Sequence, residues 1–396
     1  MPISIKTYLG ELSQELKNIL SYWQTYMPDE KHGGFYGQVD GQNRPVEEAS
    51  KGVILNARIL WTFSAACSRS FSEEKKAMAD QAYQYLETYF RDKRYGGLYW
   101  ELDYLGKPVN PRKQIYAQAF AVYALSEYYR LTSEPAVLDW ILELFDLLEE
   151  KAADGENGGY IEAFAEDWSE LDDLRLSEKD ANEKKGMNTH IHMLEAYTNL
   201  CRIHRTREVE TALQQIIRLM QEHFVGEDHH LKLFFDEKWN VKSSVISYGH
   251  DIETSWLIYE AAEVLGDEAL IDELKPMLLG MVDTFLAEGV DSANGVMNEL
   301  DKENGHLDTD RHWWPQAEAM VGLVYAYRMS GDDRYLGKTL KIWMFIKEFI
   351  IDHRKGEWFW KVDRYGNPDL SDEKAGFWKC PYHNSRACME IAHQLG

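Results

Sequence analysis

Six short segments rich in glycine and aromatic residues recur along this 396-residue chain. Successive segments begin roughly 60–70 residues apart, a period that indicates a repeat architecture. A repeat constrains the fold because each unit must bury its apolar face against the next one. The segments are GGFYG (33–37), YGGLYW (95–100), GGYIEAF (158–164), LKLFFDEKW (231–239), GVMNEL (295–300) and GEWFWKVD (356–363).

The stretches between these segments have helical periodicity. Within residues 208–224, for example, Val209, Leu213, Ile216 and Met220 follow spacings of three and four, which place them on one helix face. Counting such stretches predicts about twelve helices, two for each repeat. Their approximate ranges are 5–26, 48–70, 74–91, 112–132, 134–150, 187–204, 208–224, 249–265, 267–287, 313–330, 332–351 and 381–394.

The repeating unit is therefore predicted to be a helix, a short hairpin and a second helix. Glycine pairs turn the chain, and the aromatic residues suit short, half-buried strands. Six such units closed on themselves form an all-α (α/α)6 barrel with short β-hairpins on one face. Because no linker interrupts the repeat, we expect one domain over residues 1–396. An open α-solenoid is the alternative, although solenoids do not usually carry a hairpin in every repeat.

Charge and cysteine usage exclude several classes of function. The formal net charge of −24 repels nucleic-acid phosphates and anionic lipids. The N-terminus lacks a signal-peptide pattern, and no apolar run reaches the ~18–20 residues that a membrane span needs. We expect a reduced, cytoplasmic protein, a monomer or weak homodimer, without nucleic-acid or membrane partners. Its cysteines form no C-x-x-C pair, and they are Cys67, Cys201, Cys380 and Cys388.

One polar or aromatic residue per repeat follows each hairpin, and four of the last five lie close to a predicted helix start. Alternate helices of a closed barrel run parallel, so their N-termini converge on one mouth. Each N-terminus carries roughly half a positive charge, which favours anions and lowers the pKa of a nearby histidine. A neutral imidazole can act as a general base. The six residues are Arg58, Tyr116, His192, His250, Trp314 and His383.

Other polar residues accompany this set. Asn188, His192 and Glu195 form a stripe on one helix face, and on an inner helix such a stripe lines a cavity. Glu253 follows His250 by one helical turn, so we expect it to favour the imidazolium form of His250 while His383 stays neutral.

The remaining histidines carry weaker signals. His190 and His192 form an H-x-H pair, but side chains two residues apart on a helix diverge, so a metal site is not expected. His229 and His230 lie in a predicted loop, where we expect solvated side chains.

Composition hints at a carbohydrate ligand. Aromatic residues make up 13% of the chain and include 13 Trp and 23 Tyr. Most of them must pack, but aromatic rings that line a cleft can stack on the apolar faces of sugar rings.

Five segments together resemble the N-acylglucosamine 2-epimerase superfamily, and most closely its disaccharide branch. The resemblance covers essentially the whole chain. It implies an (α/α)6 barrel that interconverts sugar epimers at C2 of the reducing end without a metal or redox cofactor. The segments are KGVILNARILW, MNTHIHMLEAY, SYGHDIE, WWPQAEA and WKCPYHNSRACME.

The resemblance also implies roles for individual residues. His192, His250 and His383 match the family's essential histidines, and the choice between Trp313 and Trp314 as the stacking residue stays open. The implied substrate is a β-1,4-linked disaccharide such as cellobiose or lactose. Positions that match substrate contacts are Arg58, Tyr116, Asn188, Glu253, Trp314 and Trp378.

The implied reaction is proton transfer at C2 through a cis-enediolate, with His250 and His383 as the acid and base. His192 and Asn188 would open the sugar ring, and Arg58 would stabilise the enediolate. A monosaccharide or N-acylglucosamine epimerase, or an aldose–ketose isomerase of the same superfamily, is the alternative.

Two further classes of function remain open. A glycoside hydrolase on this barrel would use two carboxylates, for which Glu253 and Glu318 are candidates. A non-enzymatic scaffold is the other class, but it would not require histidines at equivalent positions of the repeat.

Overall fold

The computed structural model describes residues 4–396 and contains the twelve expected α-helices. Outer helices α3, α7 and α11 each continue into a five-residue π-helical turn, at Leu86–Phe90, Met220–Phe224 and Ile346–Ile350. The helices are α1 Ile5–Tyr26, α2 Val53–Arg69, α3 Glu73–Tyr85, α4 Ile115–Thr132, α5 Pro135–Lys151, α6 Met187–Ile203, α7 Arg207–Leu219, α8 Tyr248–Leu265, α9 Glu268–Glu288, α10 Trp313–Ser330, α11 Asp333–Phe345 and α12 Tyr382–Leu395.

Helices of even number form an inner ring, and those of odd number surround it. In α2 every residue from Val53 to Cys67 is buried, whereas α7 buries a single stripe that includes Val209 and Ile216. Each inner helix packs against the next, and α12 packs against α2 to close the ring. This confirms the predicted all-α (α/α)6 barrel. Over residues 4–396, no helix combines the length and apolarity needed to cross a bilayer.

Short strands connect neighbouring repeats at one end of the barrel. A strand before an inner helix pairs with the aromatic-glycine segment of the next repeat, and the Val39–Ala375 bridge continues this pattern where the ring closes. The predicted helices at 48–70 and 112–132 begin later, at Val53 and Ile115, because the residues before them pair as strands. The strands are β1 Lys51–Gly52, β2 Glu101–Leu102, β3 Pro108–Asn110, β4 Lys113–Gln114, β5 Ala163–Phe164, β6 Lys185–Gly186, β7 Phe234–Phe235, β8 Val245–Ser247, β9 Glu299–Asp301, β10 His306–Asp308, β11 Arg311–His312 and β12 Lys361–Val362.

Glycine is required where the hairpins turn. Gly97 has φ +72°, and a Cβ atom there would lie 2.9 Å from the Trp168 ring and 3.0 Å from the Gln118 side chain. The Gln118 amide in turn bonds to both the N–H and the carbonyl of Leu98. The hairpin is thereby fixed to the inner helix α4.

In five of the six repeats, an ion pair joins the hairpin to the chain segment before an inner helix. An aspartate in the turn accepts backbone N–H groups and also binds a cationic side chain, as Asp92 does with Lys113. The lysines of these pairs are buried, so each pair balances charges that would be costly to bury singly. The pairs are Asp29–Lys51 (2.8 Å), Asp92–Lys113 (2.7 Å), Asp154–Lys185 (2.8 Å), Asp291–Arg311 and Asp352–Lys374 (2.8 Å).

The fourth repeat departs from this pattern. Ile246 occupies the strand position that Lys113 occupies in β4. His230 fills the gap between the hairpin and α8, where its Nδ1 lies 2.7 Å from Asp251 Oδ2. The expectation that His230 is solvated was wrong, because the ring is only 4% exposed.

We predict that Lys113→Met lowers the free energy of unfolding by about 3–5 kcal/mol, because it leaves the buried Asp92 carboxylate unpaired. Urea denaturation would measure this loss. Lys93→Met is the matched control, since Lys93 forms an exposed ion pair with Glu87 and should change the stability little. Equal losses in the two variants would contradict a structural role for the buried pair.

Candidate active site

A cavity of about 530 Å³ opens at the end of the barrel where the inner helices begin. Its size lies within the usual ~300–1,000 Å³ of small-molecule sites. All nine residues predicted as catalytic or substrate-binding line it. They are Arg58, Tyr116, Asn188, His192, His250, Glu253, Trp314, Trp378 and His383.

The starts of the inner helices place these side chains at the mouth. His383 is the second residue of α12, and His250 is the third residue of α8. Tyr116, Asn188 and Trp314 are each the second residue of their helix. Because several helix N-termini therefore face one cavity, their dipoles make it favourable for developing negative charge.

The three histidines each use Nδ1 for a hydrogen bond within the protein. His383 Nδ1 lies 2.6 Å from Glu318 Oε1, and His192 Nδ1 lies 3.0 Å from Glu195 Oε2. An ionised carboxylate only accepts, so these two rings carry hydrogen on Nδ1. His250 Nδ1 instead lies 2.7 Å from the hydroxyl of Ser247. This leaves Nε2 of each ring as the nitrogen available to the cavity.

All three rings favour the neutral form. Burial lowers the pKa of His250 to about 3, with a further contribution from His192 and an opposing one from Glu318. Burial, together with the positive charges of Arg58 and Arg386, lowers the pKa of His383 well below its usual value. Burial also lowers the pKa of His192, although Glu195 opposes the effect.

The expectation that Glu253 charges His250 was wrong. The carboxylate of Glu253 binds Arg386, at 2.8 Å from Nη2, and His250 is held by Ser247 instead. The pKa of His250 therefore moves downward, as it does for His383.

Arg386 lies one helical turn below His383 and gathers three buried glutamates from three other inner helices. Its Nη2 donates to Glu318 Oε1 at 2.7 Å and to Glu253 Oε1 at 2.8 Å, and its Nη1 donates to Glu195 Oε1. Glu195 and Glu318 are the carboxylates that hold His192 and His383. One guanidinium therefore orients two of the three histidines through their partners.

The glutamates of this cluster titrate differently. Burial alone would raise the pKa of Glu195, but Arg386 and His192 outweigh it, and the pKa is lowered. Burial and the neighbouring Glu318 raise the pKa of Glu253 well above its usual value, against the effect of Arg386. Glu195 is thus the carboxylate that stays ionised beside His192.

Two alternative uses of this cluster fit the geometry poorly. Glu318 is fully buried and does not line the cavity, so it cannot flank a glycosidic bond as a hydrolase carboxylate would. Donor atoms of Glu253, Glu318 and His383 lie within 4.8 Å of one another, a spacing that could suit a metal ion. Arg386 already supplies the positive charge that these carboxylates face.

The other side of the cavity is lined by polar groups that can hydrogen-bond to a ligand. Arg58 Nη2 donates to the Tyr116 hydroxyl at 2.7 Å, and its guanidinium lies 4.3 Å from the Phe120 ring centroid. The Oδ1 atom of Asn188 is buried without a hydrogen-bond partner among the described residues. These atoms can bind the oxygens of a polar ligand.

Aromatic side chains provide the apolar walls. The half-buried ring of Trp314 lies 4.7 Å from the His250 ring and 5.6 Å from the His383 ring. Trp313 is 3% exposed and packs on Trp360, with ring centroids 4.8 Å apart. Trp314 therefore offers more of its surface to a ligand than Trp313 does. Half-buried Trp378 lies across the cavity beside Tyr116, at 5.8 Å.

Several lining residues were not predicted from the sequence. They lie in the long connection between β5 and β6, or at strand positions whose neighbours only the fold reveals. Arg386, which lies beneath the cavity and not in its lining, was also missed, although the sequence carried a signal for it: it follows His383 by three residues on the same helix face. The additional lining residues are Leu176, Ser177, Glu178, Lys179, Asp180, His312 and Trp360.

His190 points away from this cavity. Its Nδ1 donates to the carbonyl of Gly186 at 2.7 Å, and its Nε2 accepts from the N–H of Tyr160 at 3.0 Å. The ring joins the third hairpin to α6, and burial lowers its pKa to about 4. His190 and His192 thus diverge, as the helical spacing predicted.

Comparison with known proteins agrees with this architecture. Residues 16–387 match the family N-acylglucosamine 2-epimerase (GlcNAc 2-epimerase). A cellobiose 2-epimerase of Bacteroides fragilis is 47% identical over 383 residues, covering 96% of this chain and 97% of the relative. A cellobiose 2-epimerase of Dictyoglomus turgidum is 38% identical, covering 99% and 100%.

Solved structures show the same relationship. The cellobiose 2-epimerase of Bacillus thermoamylovorans superimposes with a TM-score of 0.94 and 38% identity, covering 98% of this chain and all of the other. A D-mannose isomerase, 19% identical with a TM-score of 0.85, shares the fold. The chain therefore belongs to the N-acylglucosamine 2-epimerase family of carbohydrate epimerases and is an isomerase of that family.

Proposed function

We propose that this enzyme reversibly epimerises β-1,4-linked disaccharides at C2 of the reducing-end glucose. Cellobiose would become glucosyl-mannose, and lactose would become epilactose. The observation that carries the proposal is the trio of neutral histidines that offer Nε2 to one cavity, with His192 and His383 buried and His250 half-buried. Relatives named cellobiose 2-epimerase support the choice of a disaccharide over a monosaccharide or an N-acylglucosamine.

The reaction begins with opening of the reducing-end ring. A base takes the proton from O1 while an acid protonates the ring oxygen, which leaves an aldehyde at C1. His192 is the proposed carrier of the proton from O1 to the ring oxygen, and Asn188 would polarise O1, since both residues line the same side of the cavity on α6. The C1 carbonyl then acidifies the proton on C2.

Proton transfer at C2 follows. One of His250 and His383 removes the C2 proton through its neutral Nε2 and becomes imidazolium, and the electron pair forms a cis-enediolate. The other histidine takes up a proton from water at Nε2 and delivers it to the opposite face of the planar C2 atom, while the first histidine returns its proton to water. Each positioned acid or base contributes about 10²–10⁴-fold to the rate. Delivery of a proton to C1 instead would form the ketose, so slow isomerase activity is part of this proposal.

The enediolate carries negative charge, which positive groups at the mouth of the barrel can stabilise. Arg58 remains charged because Tyr116 and Cys380 outweigh its burial and raise its pKa. With the helix N-termini, it can stabilise the enediolate oxygens, and one such donor contributes about 10²–10³-fold. Trp314 and Trp378 would hold the sugar rings by stacking. We propose that no metal or cofactor takes part.

The proposal extends to the setting of the enzyme. Its four cysteines are buried free thiols, which suit a reducing cytoplasm. We further propose that a monomer or weak homodimer forms the working unit, as a single domain over residues 1–396.

Proton NMR of EDTA-treated enzyme with cellobiose in deuterated water tests this proposal. We expect a mannose-type anomeric signal to appear while deuterium enters at C2. His383→Ala should abolish the signal, because the variant lacks one of the two proton carriers. Release of free glucose would point to hydrolysis and contradict the proposal. Turnover of mannose or N-acetylmannosamine without disaccharide turnover would contradict the proposed substrate.

The ionic cluster makes a separate prediction about rate. Glu318→Gln keeps the shape of the side chain but removes the charge that holds hydrogen on His383 Nδ1. We expect kcat to fall by about 10²–10⁴-fold, while KM changes little because Glu318 does not line the cavity. Initial-rate kinetics with cellobiose would measure both constants.

Glu149→Gln is the matched control for this substitution. Glu149 lies outside the cavity and accepts hydrogen bonds from the hydroxyls of Tyr160 and Tyr197, so its kcat should be retained. A normal kcat in Glu318→Gln would show that His383 does not need its carboxylate partner.

A further inference from the structure

His230 is buried between two carboxylates at the start of inner helix α8. Its Nδ1 lies 2.7 Å from Asp251 Oδ2, and its Nε2 lies 3.2 Å from Glu288 Oε2. The N–H of Leu231 donates to the other Asp251 oxygen at 2.8 Å. This group of three side chains, His230, Asp251 and Glu288, is called the His230 clasp below.

The contacts of the His230 clasp require a doubly protonated ring. Ionised carboxylates only accept hydrogen bonds, so both ring nitrogens must donate. Burial disfavours the charged ring, but Asp251 and Glu288 outweigh it and raise the pKa of His230. Burial raises the pKa of Asp251 above its usual value, although His230 and the N–H of Leu231 oppose the effect.

Other charged and titratable groups also face the ring. Asp228, in the same turn, binds Lys302 of the β9–β10 turn at 3.0 Å. The ring of Tyr248, the first residue of α8, lies 6.2 Å from the His230 ring. The negative charges of Asp228, Asp251 and Glu288 outnumber the single cation of Lys302, so the surroundings favour the imidazolium form.

In the fourth repeat, the His230 clasp takes the place of the lysine or arginine ion pair, so a cation that titrates near neutral pH replaces one that stays charged. In five repeats the hairpin is tied by an aspartate to a lysine or arginine, but the fourth repeat has Ile246 at that strand position. Arginine and lysine stay charged through the neutral range, whereas a histidine loses its proton there.

The fourth repeat also contains His250, the one histidine of the three whose Nδ1 is held by a hydroxyl and not by a carboxylate. His192 and His383 are held by carboxylates, whereas His250 Nδ1 is hydrogen-bonded to the Ser247 hydroxyl and the ring lies beside that of Trp314. Its position therefore depends on the backbone of the first turn of α8. Asp251, the neighbour of His250, is the residue of that turn to which His230 binds.

We propose that protonated His230 is a positioning residue that holds the first turn of α8 so that His250 meets the substrate. As pH rises through the raised pKa, one ring nitrogen loses its hydrogen and faces a carboxylate with its lone pair. The stabilisation by the clasp, complete below the unfolded pKa of ~6.5, is then lost, and kcat falls on the alkaline side. This inference rests on the proposed epimerase function.

Profiles of kcat and KM against pH, together with thermal unfolding at each pH, test the proposal. In the unmodified enzyme, kcat and Tm should both fall with an apparent pKa above ~6.5. His230→Gln should lower kcat about 10-fold at mildly acid pH, where one pKa unit of lost interaction corresponds to this factor, and it should remove the alkaline fall in both quantities. KM should change less than kcat.

Two further variants sharpen the test. His229→Gln, one residue earlier, should behave like the unmodified enzyme. Glu288 is half exposed, so Glu288→Gln should fold normally and move the alkaline fall to lower pH. An unchanged alkaline fall of kcat and Tm in His230→Gln would overturn the proposal. Because Tm is measured without substrate, a protein without epimerase activity would still show whether the clasp titrates.

Discussion

The buried charge of Arg386 is the interaction on which the candidate site depends. Three glutamates from three inner helices would be costly to bury together, and one guanidinium that binds all three offsets part of this cost. The planar guanidinium of Arg386 can donate hydrogen bonds to several carboxylates at once, a geometry that lysine could not provide. Removing it would leave uncompensated charge at the barrel centre, a loss of about 3–5 kcal/mol for a single buried pair.

The barrel places the Arg386 cluster about one helical turn beneath the residues of the mouth. Residues three positions apart on a helix lie on the same face, roughly one turn apart. His192, His250 and His383 therefore form an upper level, and their neighbours Glu195, Glu253 and Arg386 form a level beneath it. The upper level faces the substrate cavity, while Glu195 of the lower level and the neighbouring Glu318 hold the Nδ1 hydrogens of His192 and His383. Proton-transfer groups are thus separated from the charges that orient them.

Much of this arrangement could be predicted from the chain alone. The repeat and the helical periodicity are local patterns, and they indicated the barrel and the position of His192, His250 and His383 near one mouth. Long-range pairings could not be predicted in the same way. Arg386 and Glu195 are 191 residues apart, and no local pattern connects them.

His230 illustrates a second limit. Paired histidines in a polar turn normally face water, and only the packing of α8 and α9 around the turn shows that His230 is buried against Asp251 and Glu288. The expected tuning of His250 by Glu253 failed for a related reason. Helical spacing placed the two on one face, but Arg386 from another helix takes the carboxylate.

The most direct test of the central claim is the protonation state of His383 in the resting enzyme. Nitrogen NMR of histidine-labelled protein distinguishes the charged ring from each neutral form. The account predicts a neutral ring with hydrogen on Nδ1 at neutral pH, and still at about pH 5.5, well below the ordinary histidine pKa. A charged ring, or a neutral ring with hydrogen on Nε2, would contradict the account, because burial and Glu318 would then not hold His383 as a neutral ring with an unprotonated Nε2.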